Sequence, residues 1–226
     1  MCREILLEVD GMKLNLFDMH FIRTKRRYEM KLRSNRSGFT LIEVVVVIAV
    51  IAILAAILAP SIVKHIDDSK IAKAQAETKV IGSVFASFYK DVGQWPRGTG
   101  NAIINLQTVN GSIPTATGNA ANWARNAASQ ANADFMRDHF LRNRPKGGNY
   151  PATGSLRWRG PYQSTFTSDP WGNKYLVNIG NISSTNLAVW VISAGPDGRV
   201  NTPWNQNITG TTIPVPSGDD IGYRVK

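Results

Sequence analysis

The sequence predicts an α+β fold: one long N-terminal helix, membrane-spanning in its first half and amphipathic in its second, packed against a small C-terminal antiparallel β-sheet. Three observations carry this. Residues 44–59 are sixteen consecutive uncharged residues, long enough with their flanks to cross a bilayer as a helix. Beyond Pro60 the apolar residues become periodic, as on one face of a helix. Near the C-terminus, β-branched and aromatic runs alternate with Gly, Asn and Pro, the pattern of short strands and turns.

The span opens Gly38-Phe39-Thr40-Leu41-Ile42-Glu43. Glu43 is its one carboxylate, and a charge inside a membrane segment is costly enough to mark a function. Lys31, Arg33 and Arg36 lie just upstream and hold that end in the cytoplasm by the positive-inside rule. A basic leader, then Gly, Phe and a Glu near the start of an apolar helix resembles the prepilin signal of the type IV pilin and type II secretion pseudopilin families. The resemblance implies that a prepilin peptidase cuts between Gly38 and Phe39 and N-methylates Phe39. The apolar helix then stays on the mature protein, unlike a secretory signal that is removed. Glu43 becomes the fifth mature residue, and Pro60 falls where these families place a helix-bending proline.

The leader, residues 1–38, is long for such a signal, whereas Met30 to Gly38 has the usual length and basic character. Residues 1–29, which contain no span, repeat or turn-bounded strand set, are either a misassigned extension ahead of a start at Met30, the favoured reading, or an unusual cytoplasmic extension of the prepilin. The single cysteine, Cys2, lies there, so the mature chain has no disulfide or redox pair. The whole chain carries a net charge of +10. After Gly38, seventeen Lys or Arg face eleven Asp or Glu, leaving +6, a mild positive field. The densest basic stretch, Arg137 to Arg159, is interrupted by Pro145, Gly147, Gly148 and Pro151. It reads as solvated loop charge rather than a nucleic-acid site.

Residues 39–59 form the transmembrane and assembly half of the helix, and 60–92 the amphipathic half. In the latter, Ile62, Ile66, Ile71, Val80, Ile81, Val84, Phe85 and Phe88 recur mostly at helical spacing among charged residues. The helix is expected to end near Asp91, before Gly93 and Pro96. Residues 93–226 make the head. Its first part, Lys90 to Pro96, resembles the aromatic-and-proline exit of major pseudopilins, with Trp95 as the aromatic. Residues 97–155, rich in Gly, Asn, Thr and Ala, read as a long insert that is mostly loop. One helix is expected there, from Asn119 or Asn122 to about Arg142, with Trp123, Ala127, Phe135 and Leu141 to pack. His139 reads as a surface or packing residue, since no Cys or second His lies at ligand spacing.

Asp169-Pro170 and Gly172-Asn173 are turn chemistry. Tyr175–Ile179 and Leu187–Ile192 read as strands, the second apolar on both faces and so central, with a short last strand at Ile221–Val225. The Asp-Pro-Trp-Gly block, the strand pair and Ser-Ala-Gly-Pro-Asp-Gly at 193–198 are similar to the major pseudopilin of type II secretion. That resemblance implies one calcium ion after the central strand. Asp197 matches the first carboxylate, the Asp219–Asp220 pair the second carboxylate region, and Ala194 and Arg199 would supply backbone oxygens. A hard cation needs oxygen ligands of this kind.

Nothing in the sequence supports catalysis: no nucleophile elbow and no phosphate-cradling loop occurs. The resemblance implies a structural pseudopilus subunit, a homo-oligomer in a helical fibre. Its partners would be the peptidase, an inner-membrane assembly platform and minor pseudopilins, without nucleic acid. It would sit in the bacterial inner membrane as a single-pass protein with a periplasmic head before joining the fibre. A true type IV pilin for adhesion or motility, or a DNA-capturing minor pilin, are the other readings. The missing cysteines favour the pseudopilin, because pilins often close a C-terminal loop with a disulfide.

Overall fold

A computed structural model describes residues 38–99, 103–129, 133–209 and 213–226, together with the backbone of 8–9 and 12–13. The expectations for Met30, Cys2 and the basic leader residues lie outside the described residues. Two-residue strands β1 (Glu8–Val9) and β2 (Met12–Lys13) pair antiparallel, a small ribbon where the sequence suggests no strand set. The chain divides into two units, Met1–Ala52 and Ile53–Lys226.

Helix α1 runs without a break from Leu41 to Val92, Pro60 included. Up to Leu58 its large apolar side chains are all exposed, from Leu41 at 82% to Val45 at 44%. Among the described residues this is the helix long and apolar enough to cross a membrane. In the second unit α1 buries Ala74, Thr78, Ile81, Val84, Phe85, Phe88 and Val92, spaced by three or four residues as a single helical face requires. Ile62, Ile66 and Val80, which the periodicity places in that stripe, are half-exposed instead. Ile62 and Ile66 precede Ala74, the first residue of α1 that is buried, and Val80 stands about 100° round the helix from Ile81, at the edge of the buried face.

The sheet has five strands in the order β5-β3-β6-β7-β9. They are β3 (Asn105–Gln107), β5 (Ala133–Phe135), β6 (Leu176–Val177), β7 (Trp190–Ser193) and β9 (Ile221–Arg224). The β3–β5 pair is parallel and the others antiparallel, so the sheet is mixed where the sequence suggests a purely antiparallel one. A second, two-stranded parallel pair joins β4 (Thr115–Ala116) to β8 (Arg199–Val200).

The insert is thus structural: it supplies β3, β4 and β5. The single helix expected from Asn119 or Asn122 to Arg142 is instead three elements, α2 (Ala121–Ala128), β5, and α3 (Met136–Phe140). Ser129 leaves the helical region at φ −87°, ψ 106°, and pairing with β3 then outweighs helix propensity. The β6–β7 connection is a 3₁₀ turn, Ile179–Ser183, and both strands are shorter than the apolar runs that contain them.

Alternation along the strands builds two cores. Tyr175, Val177, Val189 and Val191 face α1 together with Phe85, Phe88, Phe140 and Tyr150. Leu176, Ala188, Trp190 and Ile192 face α2, against Trp123 and Ala127. β7 is therefore apolar on both faces because it is covered on both, as its sequence indicates. Phe88 holds three edge-to-face rings, Phe140 at 5.2 Å, Tyr150 at 4.9 Å and Tyr162 at 5.7 Å, a geometry the ring quadrupole favours.

Candidate functional site

Two places carry the residues singled out by the sequence. At the first, Gly38, Phe39 and Thr40 are non-helical and exposed, and α1 begins at the next residue. A Cβ on Gly38 would meet nothing within 4 Å, so the Gly38–Phe39 bond is open to an approaching protein. Glu43 is held by its own helix end. The Thr40 N–H and hydroxyl both donate to Glu43 Oε2 at 2.7 Å. In return the Glu43 N–H donates to Thr40 Oγ1 at 3.3 Å. This is a capping box, which satisfies helix-end donors that otherwise lack partners. Its signal, Thr-x-x-Glu ahead of an apolar run, is present in the sequence, but the membrane charge of Glu43 draws attention away from it. Thr40 is the residue that sequence reasoning misses here.

The second place is where β7 hands over to the loop before β8. Antiparallel pairing sets Ser193 opposite Ile221. The residues just beyond on each strand, Ala194–Gly195 and Asp219–Asp220, consequently meet at the sheet end. Contact is close: a Cβ on Gly195 would sit 2.3 Å from the Asp219 carbonyl oxygen, and Gly195 has φ +67°. Glycine is required there on both counts. The Asp197 N–H donates to Asp219 Oδ2 at 3.2 Å, and the Arg199 N–H to Asp197 Oδ1 at 2.7 Å. The long 201–218 excursion does not keep the two carboxylate regions apart, because the strand register closes them.

Asp220 is buried and turned towards the excursion. Its Oδ2 accepts from the Asn201 N–H at 2.9 Å and from the Thr202 N–H and hydroxyl at 2.6 Å each. Its Oδ1 is buried with no hydrogen-bond partner. Burial pushes the Asp220 carboxyl up to about 6, against the lowering effect of the Thr202 and Asn201 hydrogen bonds and with a further rise from Asp219. Ala194 is fully buried, whereas the Arg199 side chain is exposed, so Arg199 can contribute no more than its backbone.

Among the described residues no three His, Cys, Asp or Glu side chains converge. A cation here would therefore depend on carbonyl oxygens and water beside the carboxylates. The donor types are right for calcium, which takes roughly six to eight oxygens, and the orphaned Asp220 Oδ1 is a buried acceptor of the kind that calls for a partner. A brace supports the loop. Asp169 Oδ2 accepts from the Ser193 hydroxyl at 2.6 Å, while its Oδ1 accepts from the Trp171 and Asn173 N–H groups at 3.1 and 2.7 Å. The Asp-Pro-Trp-Gly turn is thereby tied to the end of β7.

His139 is wholly buried in a relay that the sequence does not reveal. Its Nδ1 lies 2.6 Å from the Tyr150 hydroxyl and its Nε2 3.2 Å from Asp134 Oδ2, which also accepts from the Lys146 N–H at 3.0 Å. The relay has no solvent opening, so its role is packing.

Two family models match the chain: the Prokaryotic N-terminal methylation motif over residues 33–59 and Type II secretion system (T2SS), protein G over residues 139–211. The first takes in Gly38, Phe39, Glu43 and the capping box. The second contains Asp169, Ala194, Asp197 and Arg199, while Asp219 and Asp220 lie beyond it. No curated protein and no solved structure matches the chain.

Proposed function

We propose, from a chain that is a type IV pilin-like protein most like the major pseudopilin of type II secretion, that it is a structural fibre subunit with no catalytic role. The methylation motif and the apolar helix fit a single-pass inner-membrane protein. Residues 1–38 act as the leader, the peptidase cuts the Gly38–Phe39 bond, and Phe39 is methylated. Residues 39–59 then anchor the subunit in the bilayer with residues 93–226 outside. An inner-membrane platform draws subunits out, and their helices pack into a periplasmic fibre with minor pseudopilins. The observation that carries this reading is the exposed Gly38–Phe39 bond one residue ahead of a capping box on a bare apolar helix.

Glu43 acts in assembly through an asymmetry of cost. An ion pair buried between subunits adds little net stability, but an unpaired buried carboxylate is strongly penalised. A neighbour's N-terminal amine at Phe39 provides the partner, and subunits out of register lack it. Asp197, Asp219 and Asp220, with the carbonyls of Ala194 and Arg199, would hold a calcium ion whose charge binds the β7–β8 loop to the start of β9.

Co-expression of the full chain with a prepilin peptidase and assembly platform tests the reading. Mass spectrometry is expected to find a chain starting at N-methylated Phe39, and shearing to release fibres. Glu43→Ala is expected to be cut normally while fibre yield falls by about tenfold or more, the effect of about 1.4 kcal/mol or more. An uncut chain, or full fibre yield from Glu43→Ala, would overturn the reading.

A further inference from the structure

Asp169 is a buried carboxylate with no cation beside it: the ion pairs among the described residues all lie elsewhere. Its hydrogen bonds divide by oxygen. Oδ1 takes the Trp171 and Asn173 N–H groups and so shapes its own turn, while Oδ2 takes the Ser193 hydroxyl at 2.6 Å. An asparagine would serve for the first task, since its carbonyl oxygen accepts N–H groups equally. A carboxylate also offers an acceptor to the Ser193 proton, which leaves Ser193 Oγ to accept from the Gly195 N–H at 3.3 Å. The donors therefore run in one direction, from Gly195 to Ser193 to Asp169, and hydrogen bonds in such a chain strengthen one another.

The turn that carries Asp169 is itself fixed from behind, by the insert. The Ser112 N–H donates to the Gly172 carbonyl at 2.9 Å, and the Ser112 carbonyl accepts from the Lys174 N–H at 2.9 Å. Three residues on, the Thr115 N–H donates to the Gly198 carbonyl at 3.1 Å, where β4 and β8 begin to pair. Residues 112–116 thus clamp both the turn and the far end of the 195–198 loop. Turn and loop also touch directly, for a Cβ on Gly198 would stand 3.4 Å from Asn173 Nδ2.

These ties set the shape of the loop without help from an ion. The Gly195 carbonyl accepts from the Gly198 N–H at 3.3 Å, and the Asp197 N–H stays on Asp219 Oδ2 at 3.2 Å. Asp220 Oδ1 alone remains buried and unpartnered beside them. Carboxylates gathered in one place repel one another until a cation joins them, and a loop free to yield would spread. A loop already held in its binding shape spares the ion the cost of ordering it, and affinity rises accordingly.

We infer that Asp169 is a positioning residue for calcium, acting through Ser193 on the 194–197 turn from a platform that Ser112 holds in place. Both its oxygens are engaged already, so it supports the ligands rather than joining them. This rests on the calcium reading above and extends it from the ligand loop to the Asp-Pro-Trp-Gly turn.

Calorimetric titration of the detergent-solubilised full chain with calcium, from a chelated start, reads the dissociation constant. Asp169→Asn keeps the size of the side chain and its two N–H bonds but reverses the bond to Ser193. It is expected to weaken calcium binding by about tenfold, the low end of the cost of disturbing groups that orient metal ligands. Ser193→Ala is expected to match it, and the double variant to weaken binding no further, because both act through one bond. Asp134→Asn, on the strand at the opposite edge of the sheet, is expected to lower the unfolding temperature and leave the dissociation constant unchanged. That contrast separates positioning from a general loss of stability. Wild-type affinity in Asp169→Asn and Ser193→Ala, additive weakening in the double variant, or equal weakening in Asp134→Asn would overturn the inference and leave the calcium reading standing. No calcium binding by the wild-type chain would overturn both.

Discussion

A glycine in the middle of a helix costs about 1 kcal/mol relative to alanine, yet Gly82 lies on the buried face of α1. Tyr223 of β9 is the reason: a Cβ at Gly82 would stand 2.2 Å from its ring. Gly82→Ala is expected to lower stability by about 1 to 3 kcal/mol through overpacking. In a Tyr223→Ala background the same substitution should raise it by about 1 kcal/mol. Thermal unfolding of the detergent-solubilised full chain reads both. Tyr175 shows the complementary device, a polar tie across the core boundary. Its hydroxyl donates to Glu77 Oε2 at 2.5 Å. Glu77 is partly exposed, so Tyr175→Phe is expected to cost about 1 to 2 kcal/mol, towards the low end for a bond to a charged acceptor, in the same unfolding measurement.

Among the elements, legibility followed the range of the deciding interaction. α1 could be read because hydropathy and helical period are local, and β7 because burial on both faces leaves a continuous apolar run. β5 could not. Ala133-Asp134-Phe135 has no strand pattern, and it becomes a strand through parallel pairing with β3 and the buried Asp134–His139 contact. The half-exposed Ile62 and Ile66 show the same limit, because period alone does not say how far along a helix the cover extends, and burial on α1 begins only at Ala74. At the candidate metal loop the carboxylates were visible in the sequence, whereas their meeting depends on the β7–β9 register. If calcium is held there, chelation should lower the unfolding temperature by several degrees, since a ligand that binds only the native state stabilises it by mass action. Asp220→Asn should remove most of that response. An equal response to chelation in wild type and variant would count against the site.

For the whole molecule, buried titratable groups set the pH range of stability. Burial pushes the Tyr150 and Tyr175 hydroxyls above their ordinary value, with the Glu77 hydrogen bond adding to the rise at Tyr175. A raised folded-state pKa means stability that is complete below the unfolded value of about 10 and is lost as pH rises beyond it. Burial raises the Tyr162 hydroxyl in the same direction, so Lys174, lowered by burial, opposes that loss as a single group against three. At the acid end, burial raises Asp134, but hydrogen bonds from His139, Lys146 and Phe135 outweigh it and leave the carboxyl depressed. Its contribution is present above an unfolded value of about 3.9 and disappears as pH falls through the folded one. In chelator, the raised Asp220 adds a third feature, stability falling as pH climbs from about 4 to about 6. Unfolding temperature against pH should show all three, with Tyr175→Phe flattening the alkaline limb and Asp134→Asn the acid one.

β9 is four residues long and is held at both ends. Ile221 follows directly on the Asp219–Asp220 pair and closes against Ser193. Two positions further on, Tyr223 rests in the notch that Gly82 leaves in the helix. At about 3.3 Å per residue, the carboxylates and the notch are joined by less than about 15 Å of extended chain, with no loop between to absorb movement. The strand therefore works as a latch: slackening at the carboxylates lifts Tyr223, and lifting Tyr223 uncovers the one position where the helix has no side chain of its own.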